Sequence, residues 1–235
     1  MKNFSEPASS TIAGVLHTVR NLRPLFLDGL TPSELEAVIQ AARQSKAHPA
    51  SVITNQDDSA ERLFLLLTGC ARYFLLADNG KKVILHWIRP GQTFGTTALN
   101  ATPSRYILSA ETVRPSTMLA WNRATIRSLA NRYPRLLDNA FSESVHYLTV
   151  YRAAHMALVS DTATKRLAQV LISLASGFGQ NTEGGVEVKI RNEELANEAN
   201  VTMFTASRLL NQWQRAGVLS KRRGKIVLRS PELLL

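Results

Sequence analysis

The stretch from Lys189 to Arg229 constrains the fold more than any other part of this 235-residue chain. It opens with a polar start at Arg191-Asn192 and an acidic first turn, Glu193-Glu194, which suits the positive end of a helix dipole. The pattern predicts a short helix that is interrupted at Asn200-Val201. A second helix is predicted to begin at Thr202, because a threonine hydroxyl can cap free backbone N–H groups.

The second predicted helix has one apolar face and one outward face. Its apolar residues recur at i, i+3, i+4 and i+7, the spacing of a single buried stripe: Ala206, Leu209, Leu210 and Trp213. The outward positions include Met203, Phe204, Thr205, Ser207, Arg208 and Asn211. Two short helices of this kind are typical of a helix-turn-helix, in which the second helix can enter a groove of DNA.

A basic β-hairpin, or wing, is predicted directly after the second helix. Lys221-Arg222-Arg223-Gly224-Lys225 forms its tip, and short apolar runs flank that tip on both sides. Between Arg215 and Arg229 there are six Lys or Arg residues and no Asp or Glu. Such a tip is well placed to contact phosphate oxygens. Each piece alone could be ordinary solvated surface, but in this order they predict a winged helix-turn-helix.

Charge and cysteine content limit the partners of the chain. A net charge of +10 favours a polyanionic partner but does not separate DNA from RNA or an anionic membrane. The single cysteine, Cys70, excludes an intramolecular disulfide and a metal site built from cysteines alone. Apolar runs such as 63–67 are too short to span a bilayer, and no secretory signal is recognisable. We therefore expect a cytoplasmic protein without a membrane partner.

Enzyme motifs are missing from the sequence. It contains no Gly-rich phosphate loop, HExxH, GxSxG or CxxC set, and its carboxylates form no evident pair. We therefore expect no catalytic residues and no enzyme.

Helices are expected at the start of the chain. Residues 12–19 can form a short helix after a polar tail. Thr31 as a cap, Pro32 in the first position and Glu34 three residues after the cap predict a second helix, which should end before Lys46.

Short β-type runs separated by turn signals occupy the region from Ser51 to about Trp121. The strongest turn signal is Asp78-Asn79-Gly80, which is typical of a tight hairpin. Many short strands at close spacing predict an all-β barrel or sandwich. The predicted strands cover residues 52–54, 63–68, 71–76, 82–88, 106–110 and 117–120.

Helical patterning resumes at residues 123–131, and a longer helix is predicted from Pro134 to about Val159. Along the longer helix a 4-3-4-3 spacing marks a heptad seam: Leu137, Phe141, Ser144, Leu148, Tyr151, His155 and Leu158. Pairing with a second copy would cover this seam, and packing on the β domain of the same chain is the alternative. A further helix from Thr162 or Thr164 to Gly177 and a hairpin over 180–190 then lead to the helix-turn-helix.

Taken together, the chain resembles the Crp/Fnr superfamily of bacterial transcription regulators from about Pro24 to Leu228. The resemblance rests on residues 24–30, on Arg89-Pro90-Gly91-Gln92-Thr93-Phe94-Gly95, on Arg166-Leu167-Ala168, and on Glu194-Leu195-Ala196 through Thr205 and Arg208 to Gly224-Lys225. It implies an α+β fold with four parts. These are a tail and short helix (1–23), a cyclic-nucleotide-binding-like β-roll, or double-stranded β-helix (24–132), a dimerisation helix with hinge (133–160) and a winged helix-turn-helix (161–235).

The same resemblance implies a homodimer on a two-fold operator, switched by a signal at the β-roll. In cyclic-AMP-binding members a Glu after the Phe-x-Gly element takes the ribose hydroxyl, and an Arg-Ser pair binds the phosphate. Here Thr96 stands at the Glu position and Ser104-Arg105 reverses the pair, so we expect an effector other than cyclic AMP. Arg105 could meet an anion or lie on a surface strand. The candidate effector pocket comprises Phe94, Gly95, Thr96, Thr97, Arg105, Tyr106, Leu148, Tyr151 and Arg152.

On DNA, Arg208 is the expected base contact, because its planar fork can bond O6 and N7 of guanine. Relatives usually place Arg or Glu where this chain has Met203 and Phe204, which can offer apolar contact to thymine methyl groups. Specificity would then depend partly on DNA shape. The expected phosphate contacts are Thr202, Thr205, Ser207, Arg222, Arg223 and Lys225.

Other cofactors and partners receive weaker support. The cysteine set of an Fnr-type iron–sulfur sensor is missing. Haem is not expected either, because no pair among the candidate ligands has a diagnostic spacing: His48, His86, His146, His155, Met118 and Cys70. The loop from Gly177 to Gly185 is the expected contact with RNA polymerase by family analogy. The alternatives are an effector-independent regulator and a ligand-binding or interaction module without DNA affinity.

Overall fold

The structure is a computed structural model that describes residues 12–76, 80, 82–222 and 224–234. The chain divides into two compact units, the first ending at Thr149 and the second beginning at Val150. Helix α4, Arg135–Ser160, runs across this division. The predicted domain limits at residues 133 and 160 bracket this helix and stay predictions.

Two helices and a 3-10 turn precede the sheets of the first unit. Helix α1 covers Ile12–Leu22, the turn covers Leu25–Leu27, and α2 covers Pro32–Gln40. The predicted cap of α2 is confirmed, since the Glu34 backbone N–H donates to Thr31 Oγ1 at 3.4 Å and the Thr31 N–H donates to Glu34 Oε2 at 2.8 Å. The two residues therefore satisfy each other's backbone donors at the start of the helix.

Two four-stranded antiparallel sheets form the β-roll, in the orders β1-β8-β3-β6 and β2-β7-β4-β5 among the described residues. The strands are β1 (Arg43–Ala47), β2 (Val52–Thr54), β3 (Arg62–Thr68), β4 (Ala71–Leu76), β5 (Lys82–Ile88), β6 (Thr93–Phe94), β7 (Ser109–Thr112) and β8 (Ser116–Asn122). The prediction of a β domain is thus confirmed. The hairpin between β4 and β5 is confirmed as well, although Asp78 and Asn79 of its turn lie outside the described residues.

Two boundaries predicted in this region were wrong. Helix α2 ends at Gln40, and residues 43–47 form β1 instead of continuing the helix. This strand has no β-branched residue, and its conformation comes from five backbone pairs with β8. The strand predicted at 106–110 begins only at Ser109. Tyr106 lies before it, and its hydroxyl accepts from the Arg62 N–H at 3.0 Å and donates to the Arg62 carbonyl at 2.9 Å.

Apolar side chains fill the first unit in two clusters. One lies between the sheets and includes Phe64 and Phe94, whose rings stack at 4.9 Å between centroids. The other lies beneath the helices and contains Trp121, whose indole N–H donates to the carbonyl of Val38 at 2.8 Å. Together these clusters hold the β-roll and its helices in one body.

Helix α3 covers Arg123–Arg132, and α4 follows it without an intervening strand. In the first unit, α4 turns one row of side chains inward: Leu136, Asn139, Ala140 and Glu143 are all buried. Asn139 donates to the carbonyls of Phe26 and Asp28 at 3.0 and 2.8 Å. This row is distinct from the predicted heptad seam, so α4 packs on its own β-roll without using the seam.

The second unit carries four further helical segments and a small sheet. Its elements are α5 (Ala163–Phe178), β9 (Gln180–Thr182), β10 (Gly185–Val188), α6 (Asn192–Glu198), α7 (Met203–Arg215), β11 (Leu219–Arg222), β12 (Lys225–Leu228) and a 3-10 turn (Pro231–Leu234). The strands pair in the order β11-β12-β10-β9. From α5 to β12 the order and type of these elements agree with the prediction from sequence, whereas the final 3-10 turn was not predicted.

Candidate nucleic-acid interface

The turn between α6 and α7 is closed by backbone hydrogen bonds. The Val201 N–H donates to the carbonyl of Ala196 at 3.0 Å, and Asn200 adopts a left-handed conformation with φ of 48°. Asparagine tolerates this conformation better than most residues. The chain can therefore change direction within two residues and start α7 at a fixed angle to α6.

Arg166 on α5 ties this turn to the start of the second unit. Its guanidinium donates to the carbonyl oxygens of Ala199 at 3.0 Å, Asn200 at 3.2 Å and Asp161 at 2.7 Å. The first two carbonyls belong to the end of α6, where intrahelical donors are no longer available. One side chain thus holds the helix-turn-helix against the segment that enters α5.

Helix α7 begins as predicted. Thr202 caps it, because its Oγ1 accepts from the Thr205 N–H at 3.1 Å. The predicted apolar stripe is buried along its whole length: Ala206, Leu209, Leu210 and Trp213. At the opposite extreme, Met203 and Phe204 are 57% and 78% exposed. The helix is therefore anchored by its back and presents its first turn to solvent.

The outward face of α7 carries one mixed row of side chains. Successive residues of a helix point about 100° apart, so Phe204, Arg208, Asn211 and Arg215 lie close to one line, and all four are exposed. Lys221 on β11 donates to Asn211 Oδ1 at 2.6 Å. Lys221 belongs to the predicted wing tip and Asn211 to the predicted outward face of the helix. Their contact with each other was not predicted, since nothing local in the sequence brings together two residues ten positions apart.

The wing places its basic residues unequally. In the β11–β12 hairpin Arg222 is exposed and pairs in register with Lys225. Lys225 forms an ion pair with Glu187 of β10 at 2.9 Å, which reduces the charge it can offer to a phosphate. Ser207 and Thr205 are half-buried, and the Thr205 hydroxyl lies 2.9 Å from that of Thr202. Arg223 lies outside the described residues.

Comparison with known proteins separates the chain into two recognised domains. Residues 44–133 match the cyclic nucleotide-binding domain, and residues 165–235 match the Crp-like helix-turn-helix domain. The chain belongs to the Crp/Fnr superfamily of DNA-binding transcription regulators. The regulator function predicted from the winged helix-turn-helix is thereby confirmed.

Curated relatives of this regulator cover most of its length. It is 27% identical over 212 residues to the cyclic AMP receptor protein of Thermus thermophilus, an alignment that spans 90% of this chain and 94% of that protein. It is 25% identical over 173 residues to the nitrogen fixation regulation protein FixK of Azorhizobium caulinodans, spanning 72% and 68%.

Solved structures show the same fold. FixK2 from Bradyrhizobium japonicum superposes with a TM-score of 0.69 at 23% identity, covering 82% of this regulator and 95% of that chain. The Crp/Fnr regulator TTHA1359 from Thermus thermophilus gives 0.71 at 22% identity, covering 82% and 96%. At these identities the likeness concerns the fold alone.

The β-roll of the regulator places the predicted effector residues in different surroundings. Phe94 is fully buried in the core. A Cβ on Gly95, whose φ is 75°, would lie 2.7 Å from the carbonyl oxygen of Arg62, so the turn requires glycine. Arg105 is exposed and donates to the carbonyl of Asp57. Thr96 and Thr97 are half-buried. A Cβ on Gly95 would also lie 3.1 Å from the ring of Tyr106. The guanidinium of Arg105, in contrast, is bonded to the loop that contains Asp57.

Further along α4, the predicted pocket and seam residues are mostly open to solvent. Leu148 and Arg152 are exposed and Tyr151 is half-buried. Among the other seam residues, Leu137, Phe141, Ser144, His155 and Leu158 are exposed. The seam therefore lies on a different side of α4 from the buried row that begins at Leu136.

A buried carboxyl lies where α4 meets the β-roll. Thr93 donates its hydroxyl to Glu143, and the backbone N–H groups of Phe26 and Thr93 also donate to it. Burial nevertheless raises the pKa of Glu143 to about 7. A cavity of about 300 Å³ lies beside Glu143. It is lined by Leu22, Arg23, Leu25, Pro90, Gly91, Gln92, Glu143, His146 and Tyr147.

Among the residues considered as haem ligands, His86 and His146 both lie against the ring of Tyr147. Cys70 and Met118 are buried in the first unit. The ring of His86 meets that of Tyr147 edge-on at 5.1 Å, and burial, with the charges of Arg89 and His146, lowers the pKa of His86 to about 4. Within the described residues, no group of three or more His, Cys, Asp or Glu could hold a metal ion. Nor is any described helix both long and apolar enough to cross a membrane.

Proposed function

We propose that this regulator acts as a homodimer that places two copies of α7 on the half-sites of a two-fold symmetric operator. The observation that carries the proposal is the exposed apolar seam of α4: Leu137, Phe141, Leu148 and Leu158 are 37%, 72%, 67% and 46% exposed. Burying these aliphatic and aromatic side chains stabilises the buried state by about 25 cal/mol for each Å² of apolar surface removed from water. A second copy of the same helix offers the complementary surface.

Within each half-site, Arg208 is proposed to bond guanine, and Met203 and Phe204 to make apolar base contacts. Thr202, Thr205, Ser207, Arg222, Arg223 and Lys225 are proposed to bind phosphates. The exposure of Arg208 and Arg222 supports these roles. The ion pair with Glu187 makes Lys225 the weakest of the wing contacts, because its ammonium must share its donors. A contact of residues 177–185 with RNA polymerase is proposed by family analogy.

The proposed effector is a small molecule other than cyclic AMP. Thr96 offers no carboxylate for a ribose hydroxyl, and Arg105 already donates to the carbonyl of Asp57. Addition of cyclic AMP should leave the thermal midpoint and the DNA affinity of the purified regulator unchanged. A saturable shift in either quantity would overturn this part of the proposal.

A regulator that needs no effector is the second candidate, and one observation favours it. The space between the sheets of the β-roll is filled by apolar side chains, among which Leu66, Ile88, Phe94 and Met118 are fully buried. Under this reading the purified apo-protein binds its operator at full affinity, and control acts through protein level.

An electrophoretic shift with fragmented genomic DNA at two salt concentrations tests sequence-specific DNA binding. Selective retention of a few fragments at the higher salt concentration is expected, because base contacts persist when phosphate contacts are screened. Uniform loss of all fragments at the higher salt concentration would contradict a specific operator.

A further inference from the structure

The first turn of α7 exposes an aromatic side chain where the protein should meet a polar partner. Phe204 is 78% exposed, the largest fraction among the described large hydrophobic residues at this face. Leaving a phenyl ring in water costs free energy that burial against an apolar group would return. An apolar group on the partner should therefore lie opposite Phe204.

Helix geometry ties Phe204 to the proposed guanine contact. Residues four apart lie about 40° apart around a helix and about 6 Å apart along it, so Phe204 and Arg208 point in nearly the same direction. Adjacent base pairs are stacked about 3.4 Å apart. Phe204 should therefore face a base one or two steps from the guanine that Arg208 bonds. Met203 points about 140° away from Arg208 around the helix axis.

The charges around Phe204 favour DNA over an apolar protein surface as its partner. Arg208 and Arg215 lie on the same row of α7, and Arg222 of the wing is exposed. Lys221 is held beside this row by its hydrogen bond to Asn211. Between Arg215 and Arg229 the chain has no acidic residue. A partner covering Phe204 must therefore also accept several positive charges.

We propose that Phe204 reads the 5-methyl group of a pyrimidine beside the guanine that Arg208 bonds. The methyl of thymine is the apolar group that an unmodified base pair presents in the major groove, and 5-methylcytosine carries the same group at the same carbon. The regulator should accept thymine or 5-methylcytosine at this position and discriminate against uracil and unmethylated cytosine. The inference rests on the proposed function, since it requires α7 to enter the major groove.

Single replacements of thymine by deoxyuridine test the inference, because they remove the methyl group and leave base pairing unchanged. The probe is a duplex recovered by selection from genomic DNA, with each thymine replaced in turn and affinity measured by fluorescence anisotropy. One thymine per half-site should lower the affinity about fourfold when replaced, the effect of removing one buried methyl-sized group. At that position, a C·G pair should bind more tightly when its cytosine is methylated.

Two variants assign the effect to Phe204. At the thymine beside the guanine of Arg208, the thymine and uracil duplexes should bind Phe204→Ala equally. Met203→Ala should keep the difference at that thymine, because Met203 points away from it and its own proposed base contact lies at another position. Both positions are exposed, so neither change should unfold the protein, and circular dichroism checks this. Equal binding of all uracil duplexes by the wild type, or a uracil penalty that persists in Phe204→Ala, would overturn the inference while leaving the regulator function intact. Wild-type protein that binds the selected duplex no better than random DNA would instead defeat the proposed function.

Discussion

Lys221 of the wing donates a hydrogen bond to Asn211 of the recognition helix α7 over 2.6 Å. The contact joins two elements that are both expected to touch DNA, and it orients the Asn211 amide by occupying its oxygen. Together with the backbone hydrogen bond from Val218 to Trp213, this bond holds the first strand of the wing beside the outward row of α7.

Breaking the hydrogen bond between Lys221 and Asn211 should weaken DNA binding, because the wing would no longer be held in place beside α7. Asn211→Ala and Lys221→Met should each lower affinity, and the double variant should lose less than the sum of the two. A coupling of about 0.5–1 kcal/mol is expected for an exposed, charge-assisted pair. A double-mutant cycle on operator affinity measures this coupling. Additive losses would show that the two residues act on DNA independently.

Truncation of Arg208 and truncation of Arg222 should weaken DNA binding in different ways. Arg208→Ala should cost about 1–3 kcal/mol on the operator and little on random DNA, because a bidentate guanine contact is lost. Arg222→Ala should weaken binding to all sequences alike and reduce the salt slope by about one. Titrations of operator and random duplexes at several salt concentrations distinguish the two. Equal losses on both duplexes for Arg208→Ala would refute its assignment to a base.

A charge introduced into the α4 seam should weaken the dimer, whereas the same charge beside the seam should not. Leu148→Glu should raise the dimer dissociation constant more than about 100-fold, because a buried unpaired carboxylate costs about 3–5 kcal/mol. Thr149→Glu places the same charge on the adjacent, exposed residue, which points about 100° away, and should leave the dimer intact. Sedimentation equilibrium measures the dimer dissociation constant of both variants. Dimers of equal strength in the two variants would argue for another interface.

Glu143 should make the protein less stable as the pH rises. Burial raises the pKa of its carboxyl from 4.5 to about 7, so the folded state binds a proton that the unfolded state has already released. The resulting stabilisation is complete below pH 4.5 and is lost as the pH rises through about 7. Glu143→Gln should therefore unfold at a higher temperature than the wild type at pH 8, with no advantage at pH 4.5.

His86 acts in the opposite sense over part of the same range, so its contribution must be separated. Its pKa is lowered from 6.5 to about 4, and the stability it contributes is lost as the pH falls from 6.5 toward 4. Thermal midpoints of Glu143→Gln and wild type above pH 7 avoid this overlap. A difference between them that does not change from pH 6.5 to pH 8 would contradict a titrating Glu143.

Local patterns predicted the second unit well, because each element there carries its own signal. Thr202 caps α7, and the stripe ending at Trp213 is buried as its spacing required. Strand β1 was missed because its sequence has no β signal, and pairing with β8 sets its conformation. Hydrogen bonds between distant residues, such as those of Arg166 with Ala199, were likewise beyond local patterns.

In the β-roll, sequence motifs did not predict the surroundings of individual side chains. The Phe94-Gly95 element was recognised as part of a candidate effector pocket, yet Phe94 stacks on Phe64 within the core. The buried Glu143 gave no sequence signal, because its environment depends on Thr93, fifty residues away. Where a side chain points within a β-roll follows from register and packing, which alternation alone does not specify.

Selection of binding sites from genomic DNA by the purified regulator tests the central claim most directly. We expect a two-fold symmetric sequence whose half-sites lie one helical turn or a whole number of turns apart, with a guanine and a neighbouring thymine in each half. Recovery of a single asymmetric site, or of no enriched sequence at all, would contradict it.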